Sequence, residues 1–272
     1  PCDKAPNRQQ TYMVAGRPWT PRNANHSRYG QMVPLSWGLA QSNNWISAYL
    51  MSKLNPSQFV QLLHDYGINN PDIHASLSLC LGPCEVSVSE MVSAYTAFAN
   101  HGIRTAPMFV SRIEDNEGNT IATFQPRMNE VISADNAMKM LTMMMGVVDN
   151  GTAGRLRYRY KLEGQIGAKT GTTNNNSDGW FIGFTPQLVS GCWVGGEDRD
   201  IHFDSMSMGQ GATMALPIWA IFMKKVYADV SLGYSPEVKF DIPADYNPCY
   251  HVGSGGEQDS FEQVNAIDEV FE

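Results

Sequence analysis

Residues 167–186 read GAKTGTTNNNSDGWFIGFTP, and this segment predicts the central sheet of the protein. Two strand-like runs flank an asparagine-rich turn at 174–177, which is the pattern of a β-hairpin. A third run of the same kind follows the turn at 185–187. We therefore predict an antiparallel meander of three strands over 165–172, 179–185 and 188–195.

Helical patterns dominate the rest of the chain. Asn55-Pro56 is typical of a helix start, and Ser87 with Glu90 fits a capping box. A small antiparallel sheet that forms late among helices predicts the α+β class, with the sheet flanked by helices. The further predicted elements are an extended or looped segment over 1–34, helices over 35–50, 59–66, 88–101, 133–148 and 214–228 (Pro217 in its first turn), and a hairpin over 109–124.

Acidic residues are concentrated at the carboxyl terminus. The 272 residues carry a formal charge of −8, but 251–272 hold six acidic residues and no Lys or Arg, which leaves 19 basic and 21 acidic residues before them. A nucleic-acid partner calls for a basic face, so this balance argues against one. No apolar run approaches the ~18 to 20 residues of a membrane helix. We expect one domain over 1–246 and a solvated, mobile acidic tail over 247–272.

The five cysteines lie at irregular spacing, which does not suggest a disulfide framework. Cys80 and Cys84, in the run CLGPC, either form a disulfide in an oxidising compartment or act as separate small apolar side chains. We favour separate side chains.

Several kinds of chemistry lack their motifs. A phosphate-binding loop needs glycine before its lysine, and Ala168 occupies that position. The sequence contains no G-x-S-x-G, no H-E-x-x-H and no pair of C-x-x-C clusters, and its six histidines are scattered. We predict no metal site and no cofactor.

The segment Lys169-Thr170-Gly171-Thr172-Thr173 places a cation, small hydroxyls and a glycine on one predicted strand. Such a strand edge suits an anionic ligand. Lys169 supplies charge, threonine hydroxyls donate to a carboxylate, and Gly171 lets another backbone approach closely. An exposed strand N–H group also stabilises an oxyanion.

Ser42-Asn43-Asn44 is the second candidate element, 127 residues before the only K-T-G triplet and itself the only S-x-N triplet. A serine hydroxyl relays protons, and an asparagine amide both donates to and accepts from a peptide group. The alternative is that Ser42 merely caps the following helix.

These two triplets together resemble two of the three motifs of the penicillin-recognising serine acyl enzymes. From Trp19 to Val226 the chain is similar to the transpeptidase domain of class A, bifunctional penicillin-binding proteins. The matching segments include WTPRN at 19–23, GLAQSNN at 38–44, VSVSEMVSAYTAFANHG at 86–102, GVVDNGTAG at 146–154 and ALPIWAIFM at 215–223.

The resemblance implies a role for each site residue. Ser42 would belong to the proton-shuttling network, and Asn44 would hold the substrate amide. Lys169, Thr170, Thr172 and Thr173 would bind the donor carboxylate on the strand that contains Gly171. The backbone N–H of Thr172 would contribute to the oxyanion hole.

The resemblance also implies a reaction and a location. A serine attacks the D-Ala-D-Ala carbonyl of a peptidoglycan stem peptide, and an amine of a neighbouring stem then takes the acyl group. β-Lactams imitate the donor. The enzyme would act in the periplasm, at the outer face of the bacterial inner membrane, with a membrane anchor and a glycosyltransferase domain upstream.

One motif of the family is missing. Its nucleophile is the serine of S-x-x-K, and no serine in the 272 residues has a lysine three positions later. We interpret the chain as a fragment that begins behind the nucleophile and is inactive alone. The alternatives are a degenerate, inactive homologue and a non-catalytic peptidoglycan- or β-lactam-binding module.

Overall fold

The structure is a computed structural model that describes residues 1–249. Its strands are β1 (Lys4–Pro6), β2 (Tyr12–Val14), β3 (Arg17–Trp19), β4 (Met32–Pro34), β5 (Ile103–Thr105), β6 (Arg112–Glu114), β7 (Thr120–Thr123), β8 (Met128–Glu130), β9 (Gly167–Thr172), β10 (Asp178–Phe184) and β11 (Val189–Gly195). Its α-helices are α1 (Leu35–Ala40), α2 (Asn44–Met51), α3 (Pro56–Asp65), α4 (Val88–Ala99), α5 (Ala134–Asn150), α6 (Arg155–Tyr158), α7 (Met206–Gly209) and α8 (Gly211–Ala228).

A three-stranded antiparallel sheet in the order β11-β10-β9 lies at the centre of the fold. Trp180 on β10 pairs with Gly171 on one side and with Trp193 on the other. The predicted meander is confirmed, with strand ends shifted by one or two residues. In this sheet β9 is an outer strand, so its far edge pairs with no other strand of the sheet.

Helices cover both faces of this sheet. On one face, Trp219 of α8 packs against Phe181, with ring centroids 5.3 Å apart. On the other face, Tyr95 of α4 packs against Phe184, with centroids 6.4 Å apart. Burying each such aromatic or aliphatic side chain stabilises the fold by about 1.5–3 kcal/mol. The α+β class with a helix-flanked sheet is confirmed.

The predicted local signals also hold. Asn55 caps α3, and Ser87 and Glu90 form the capping box of α4. The helix predicted over 133–148 is α5, and Ser133 is its cap rather than its first residue. The predicted hairpin forms from β6 and β7. The start of α8 at Gly211 corrects the prediction of a helix beginning at 214, and Pro217 lies inside the helix rather than in its first turn.

The helical pattern from Leu35 is two helices rather than one. The chain leaves the helical path at Ser42, whose φ of +52° is left-handed, and Asn43 then caps α2. The side-chain periodicity continues across this break, so it did not reveal the turn.

A disulfide joins Cys2 and Cys249, whose Cα atoms are 5.4 Å apart. The expectation that the cysteines form no disulfide framework missed this bond, because spacing along the chain does not report a contact between positions 247 residues apart. Cys80 and Cys84 are free and packed among apolar side chains, which confirms the favoured interpretation. Cys249 was assigned to the acidic tail; residues 250–272 of that tail lie outside the described residues.

Within residues 1–249, every helix is too short or too polar to cross a bilayer.

Candidate active site

Lys169 on β9 and Ser42 between α1 and α2 meet in space. Nζ of Lys169 donates to Oγ of Ser42 over 2.7 Å and to the Thr170 carbonyl over 2.7 Å. The fold thus joins the two triplets singled out in the sequence into one site.

The geometry of Ser42 leaves its hydroxyl proton available. Its oxygen accepts from Lys169, and its backbone N–H donates to the Leu39 carbonyl at 3.0 Å. A hydroxyl that accepts from an ammonium directs its own proton to another acceptor. Ser42 is exposed, so that acceptor can be a ligand.

Partial burial changes the acidity of Lys169. Removal from water disfavours the ammonium and lowers the pKa of Lys169 from 10.5 to about 8. The side chain is therefore mostly charged at neutral pH, yet it loses its proton far more readily than an ordinary lysine.

Asn43 fixes the turn that carries Ser42. Its Oδ1 accepts from the Ile46 N–H at 3.1 Å, so Asn43 and not Ser42 caps α2, which corrects the capping alternative. Its Nδ2 donates to Oδ1 of Asn7 at 2.8 Å. Asn7 is fully buried and donates in turn to the carbonyls of Ser27 and Arg28. Asn7 belongs to no motif or periodic pattern, so nothing in the sequence marks it as part of the site.

Asn44 begins α2 and is held by the loop before β4. Its backbone N–H donates to Oδ1 of Asn23 at 2.7 Å, and its Nδ2 donates to the Arg22 carbonyl at 2.7 Å. Among residues 1–249, no group donates a hydrogen bond to the side-chain oxygen of Asn44.

The hydroxyls of Thr170 and Thr172 are each contacted by another group. Oγ1 of Thr172 accepts from the Gly211 N–H at 3.0 Å, and because that donor is fixed, the Thr172 proton is free for a ligand. Oγ1 of Thr170 lies 2.8 Å from Oγ1 of Thr152, and Thr170 is 8% exposed. Thr152 was not predicted as a site residue, although it lies in the NGTAG segment.

The start of α8 passes close to β9. A Cβ atom on Gly211 would collide with the carbonyl oxygens of Gly171 and Trp180, so α8 can start here only with glycine. A Cβ atom on Gly171 itself would meet the Cβ atom of Trp180 at 3.0 Å, so the predicted role of Gly171 in admitting another backbone stays a prediction.

Thr173 and the asparagine run form the turn between β9 and β10. Oγ1 of Thr173 donates to the Asp178 carbonyl at 3.2 Å and accepts from the Asp178 N–H at 3.0 Å. Asn175 and Asn176 have φ of +66° and +55°, and Asn176 donates to the Phe203 carbonyl. The asparagines thus serve as the hairpin turn, as the sequence favoured. The predicted role of Thr173 in carboxylate binding stays a prediction.

Comparison with known proteins identifies the family of this chain. The family model of the penicillin binding protein transpeptidase domain matches residues 3–191. The chain therefore belongs to the penicillin-binding protein transpeptidase family.

Similarity to individual penicillin-binding proteins supports this family assignment. The chain is 32% identical to penicillin-binding protein 1A of Aquifex aeolicus over 236 residues, covering 86% of this chain and 31% of that protein. It is 33% identical to penicillin-binding protein 1A of Neisseria meningitidis over 214 residues, covering 77% of this chain and 26% of the relative. The chain thus spans less than a third of the length of these relatives.

Solved structures share the fold. Penicillin-binding protein 1A from Haemophilus influenzae superposes with a TM-score of 0.78 at 24% identity, over 89% of this chain and 41% of that one. PonA1 from Mycobacterium tuberculosis superposes with a TM-score of 0.71 at 22% identity, over 94% of this chain and 70% of that one.

Proposed function

We propose that the chain is part of a serine D,D-transpeptidase that cross-links peptidoglycan in the bacterial cell wall and is a β-lactam target. The 2.7 Å hydrogen bond from Lys169 to Ser42 carries this proposal. It places the only S-x-N triplet against the only K-T-G triplet at an outer strand. The family membership agrees with it.

The reaction is an acyl transfer in two steps. The oxygen of a nucleophilic serine attacks the carbonyl between the two D-Ala residues of a stem peptide, and the broken amide leaves as D-Ala with the serine proton. The amine of a second stem peptide then attacks the ester, forms the cross-link and returns a proton to the serine. A β-lactam replaces the donor and stays bound as an ester.

The described residues take distinct parts in this reaction. Ser42 relays the proton to the leaving amine, with its orientation fixed by Lys169. The side-chain oxygen of Asn44, which accepts no hydrogen bond from residues 1–249, accepts from the substrate amide. Lys169 attracts the donor carboxylate, and the hydroxyls of Thr170 and Thr172 donate to it. The backbone N–H of Thr172 lies on the outer strand and contributes to the oxyanion hole.

On this proposal the nucleophile would lie in a longer protein that contains this chain. No S-x-x-K occurs in the 272 residues, and the relatives are more than three times as long as the matched segment. We propose that the preceding residues contain this motif together with a glycosyltransferase domain and a membrane anchor. The transpeptidase domain would then act in the periplasm, at the outer face of the inner membrane.

A non-catalytic peptidoglycan- or β-lactam-binding module is the second candidate, because the missing S-x-x-K favours it. Labelling with a fluorescent penicillin separates the two. We expect stoichiometric, denaturation-resistant labelling of the longer protein and none of the isolated 272 residues. An unlabelled longer protein would favour the binding module, and a covalent adduct on the 272 residues would reveal a nucleophile within them.

A further inference from the structure

We infer that Thr152 is a positioning residue that directs the hydroxyl proton of Thr170 toward the carboxylate of the acyl donor. This inference rests on the proposed function, since it assumes that Thr170 binds that carboxylate. The Thr152 hydroxyl contacts that of Thr170, so Thr152 would act through Thr170.

Thr152 lies where the two halves of the site meet. Its backbone N–H donates to the carbonyl of Ala40, the last residue of α1 and two positions before Ser42. Beside it, Nε2 of Gln41 donates to the Asn150 carbonyl at 3.0 Å. Its side chain reaches the other half, with Oγ1 2.8 Å from Oγ1 of Thr170 on β9. One short segment thus connects the serine turn to the K-T-G strand.

The position of Thr152 is fixed by its neighbours. Gly151 passes so close to the Ala40 carbonyl that an added Cβ would collide with that oxygen. Ala153, on the other side, is fully buried and donates its N–H to the Val147 carbonyl at 3.1 Å. Thr152 therefore presents its hydroxyl to Thr170 from a rigid backbone.

The direction of the bond between the two hydroxyls determines what Thr170 can bind. Each hydroxyl has one proton, and in a single bond between them only one donates. A carboxylate accepts hydrogen bonds and donates none. Thr170 can therefore donate fully to a bound carboxylate only when Thr152 donates to Thr170.

Thr172 shows the same arrangement with a permanent donor. The Gly211 N–H donates to Oγ1 of Thr172, and a backbone amide cannot reverse its direction. On our proposal Thr170 likewise has a donor at its oxygen, and the 2.8 Å contact between the two hydroxyls allows either of them to donate. At Thr170 that donor is the Thr152 hydroxyl, which an anion in the site would orient.

The test removes the hydroxyl of Thr152 and keeps its shape. In the longer protein, acylation rate constants are measured for benzylpenicillin and for its methyl ester, which lacks the anionic carboxylate. We expect Thr152→Val to lower the acylation rate constant for the acid about tenfold, which is the effect of losing one hydrogen bond to a charged group. The rate constant for the ester should stay within about twofold of the wild-type value. Thr152→Ser, which restores the hydroxyl, should restore the rate with the acid.

A double-mutant comparison identifies the residue through which Thr152 acts. In the background of Thr170→Val, the further change Thr152→Val should alter the acid-to-ester ratio by less than about twofold, because the hydroxyl it orients is gone. If Thr152→Val fails to fold, Thr152→Ala is measured by the same ratio, which does not depend on the amount of folded protein.

The possible outcomes separate this inference from the proposed function. If Thr152→Val slows acylation by the acid and by the ester equally, or changes neither rate constant, the role of Thr152 is overturned. Carboxylate recognition would still stand in that case, provided that the wild-type protein reacts faster with the acid than with the ester. A wild-type protein that reacts equally fast with both would instead overturn carboxylate recognition itself.

Discussion

Nζ of Lys169 lies 2.7 Å from Oγ of Ser42, although the two residues are 127 positions apart in the chain. Lys169 is placed by the outer strand of the central sheet, and Ser42 by a left-handed turn between two helices. The contact therefore depends on the whole arrangement of sheet and helices.

The pKa of Lys169 predicts how acylation depends on pH. Burial lowers this pKa to about 8, and only the charged form attracts the donor carboxylate. In the longer protein, kcat/KM for benzylpenicillin should therefore be highest below pH 8 and should decrease as the pH rises above 8. This parameter reports the pKa of Lys169 in the free enzyme. The methyl ester should show no such fall near pH 8. A decline that begins only near 10.5, the ordinary value, would contradict the assignment.

Gly151→Ala should weaken the junction between α5 and α1. The new Cβ would collide with the Ala40 carbonyl, at a cost of about 1–3 kcal/mol in the free energy of unfolding. Gly146→Ala is the matched control, since nothing lies within 4 Å of its Cβ position and a helix gains about 0.5–1 kcal/mol from such a change. Urea unfolding measures both. Equal effects of the two variants would refute the packing described.

Asn43→Ala should cost more than the loss of an ordinary helix cap. Loss of the cap alone lowers the free energy of unfolding by about 1 kcal/mol. The buried side-chain oxygen of Asn7 also loses its hydrogen-bond donor, which lowers the free energy of unfolding by about 1–3 kcal/mol more. Asn55→Ala removes an exposed cap from α3 and should cost about 1 kcal/mol. Similar losses of unfolding free energy in the two variants would show that the contact with Asn7 contributes nothing.

The disulfide between Cys2 and Cys249 should stabilise the domain. Removing a native disulfide typically costs about 2–5 kcal/mol, so Cys2→Ser should lower the unfolding midpoint markedly. Cys192→Ser, at a free cysteine, should leave it nearly unchanged. Peptide mapping without reductant should recover Cys2 linked to Cys249. Recovery of Cys80 linked to Cys84 would disagree with the structure.

Local signals predicted much of the fold. The meander of β9 to β11 follows from strand-like runs separated by turn residues, and Asn55 and Ser87 mark helix starts through hydrogen bonds within one turn. Such interactions involve residues close in sequence, so a pattern of neighbouring letters reports them. The candidate site was found because its two triplets are short and characteristic.

Contacts between distant residues left no such signal. The pairs Asn7–Asn43 and Thr152–Thr170 are single hydrogen bonds across 36 and 18 positions, with no periodicity around them. The break between α1 and α2 at Ser42 interrupts a continuous apolar pattern. These features depend on tertiary packing, which overrides local propensity.

The acylation rate of the longer protein with Lys169 replaced tests whether Lys169 and Ser42 form the active site. Lys169→Ala removes both the charge that attracts the donor carboxylate and the donor that orients Ser42. We predict a loss of about 10- to 100-fold in the rate constant for benzylpenicillin, the range for a charged hydrogen-bonding group. An unchanged rate constant in a variant that folds normally would contradict the role of Lys169 in binding the acyl donor.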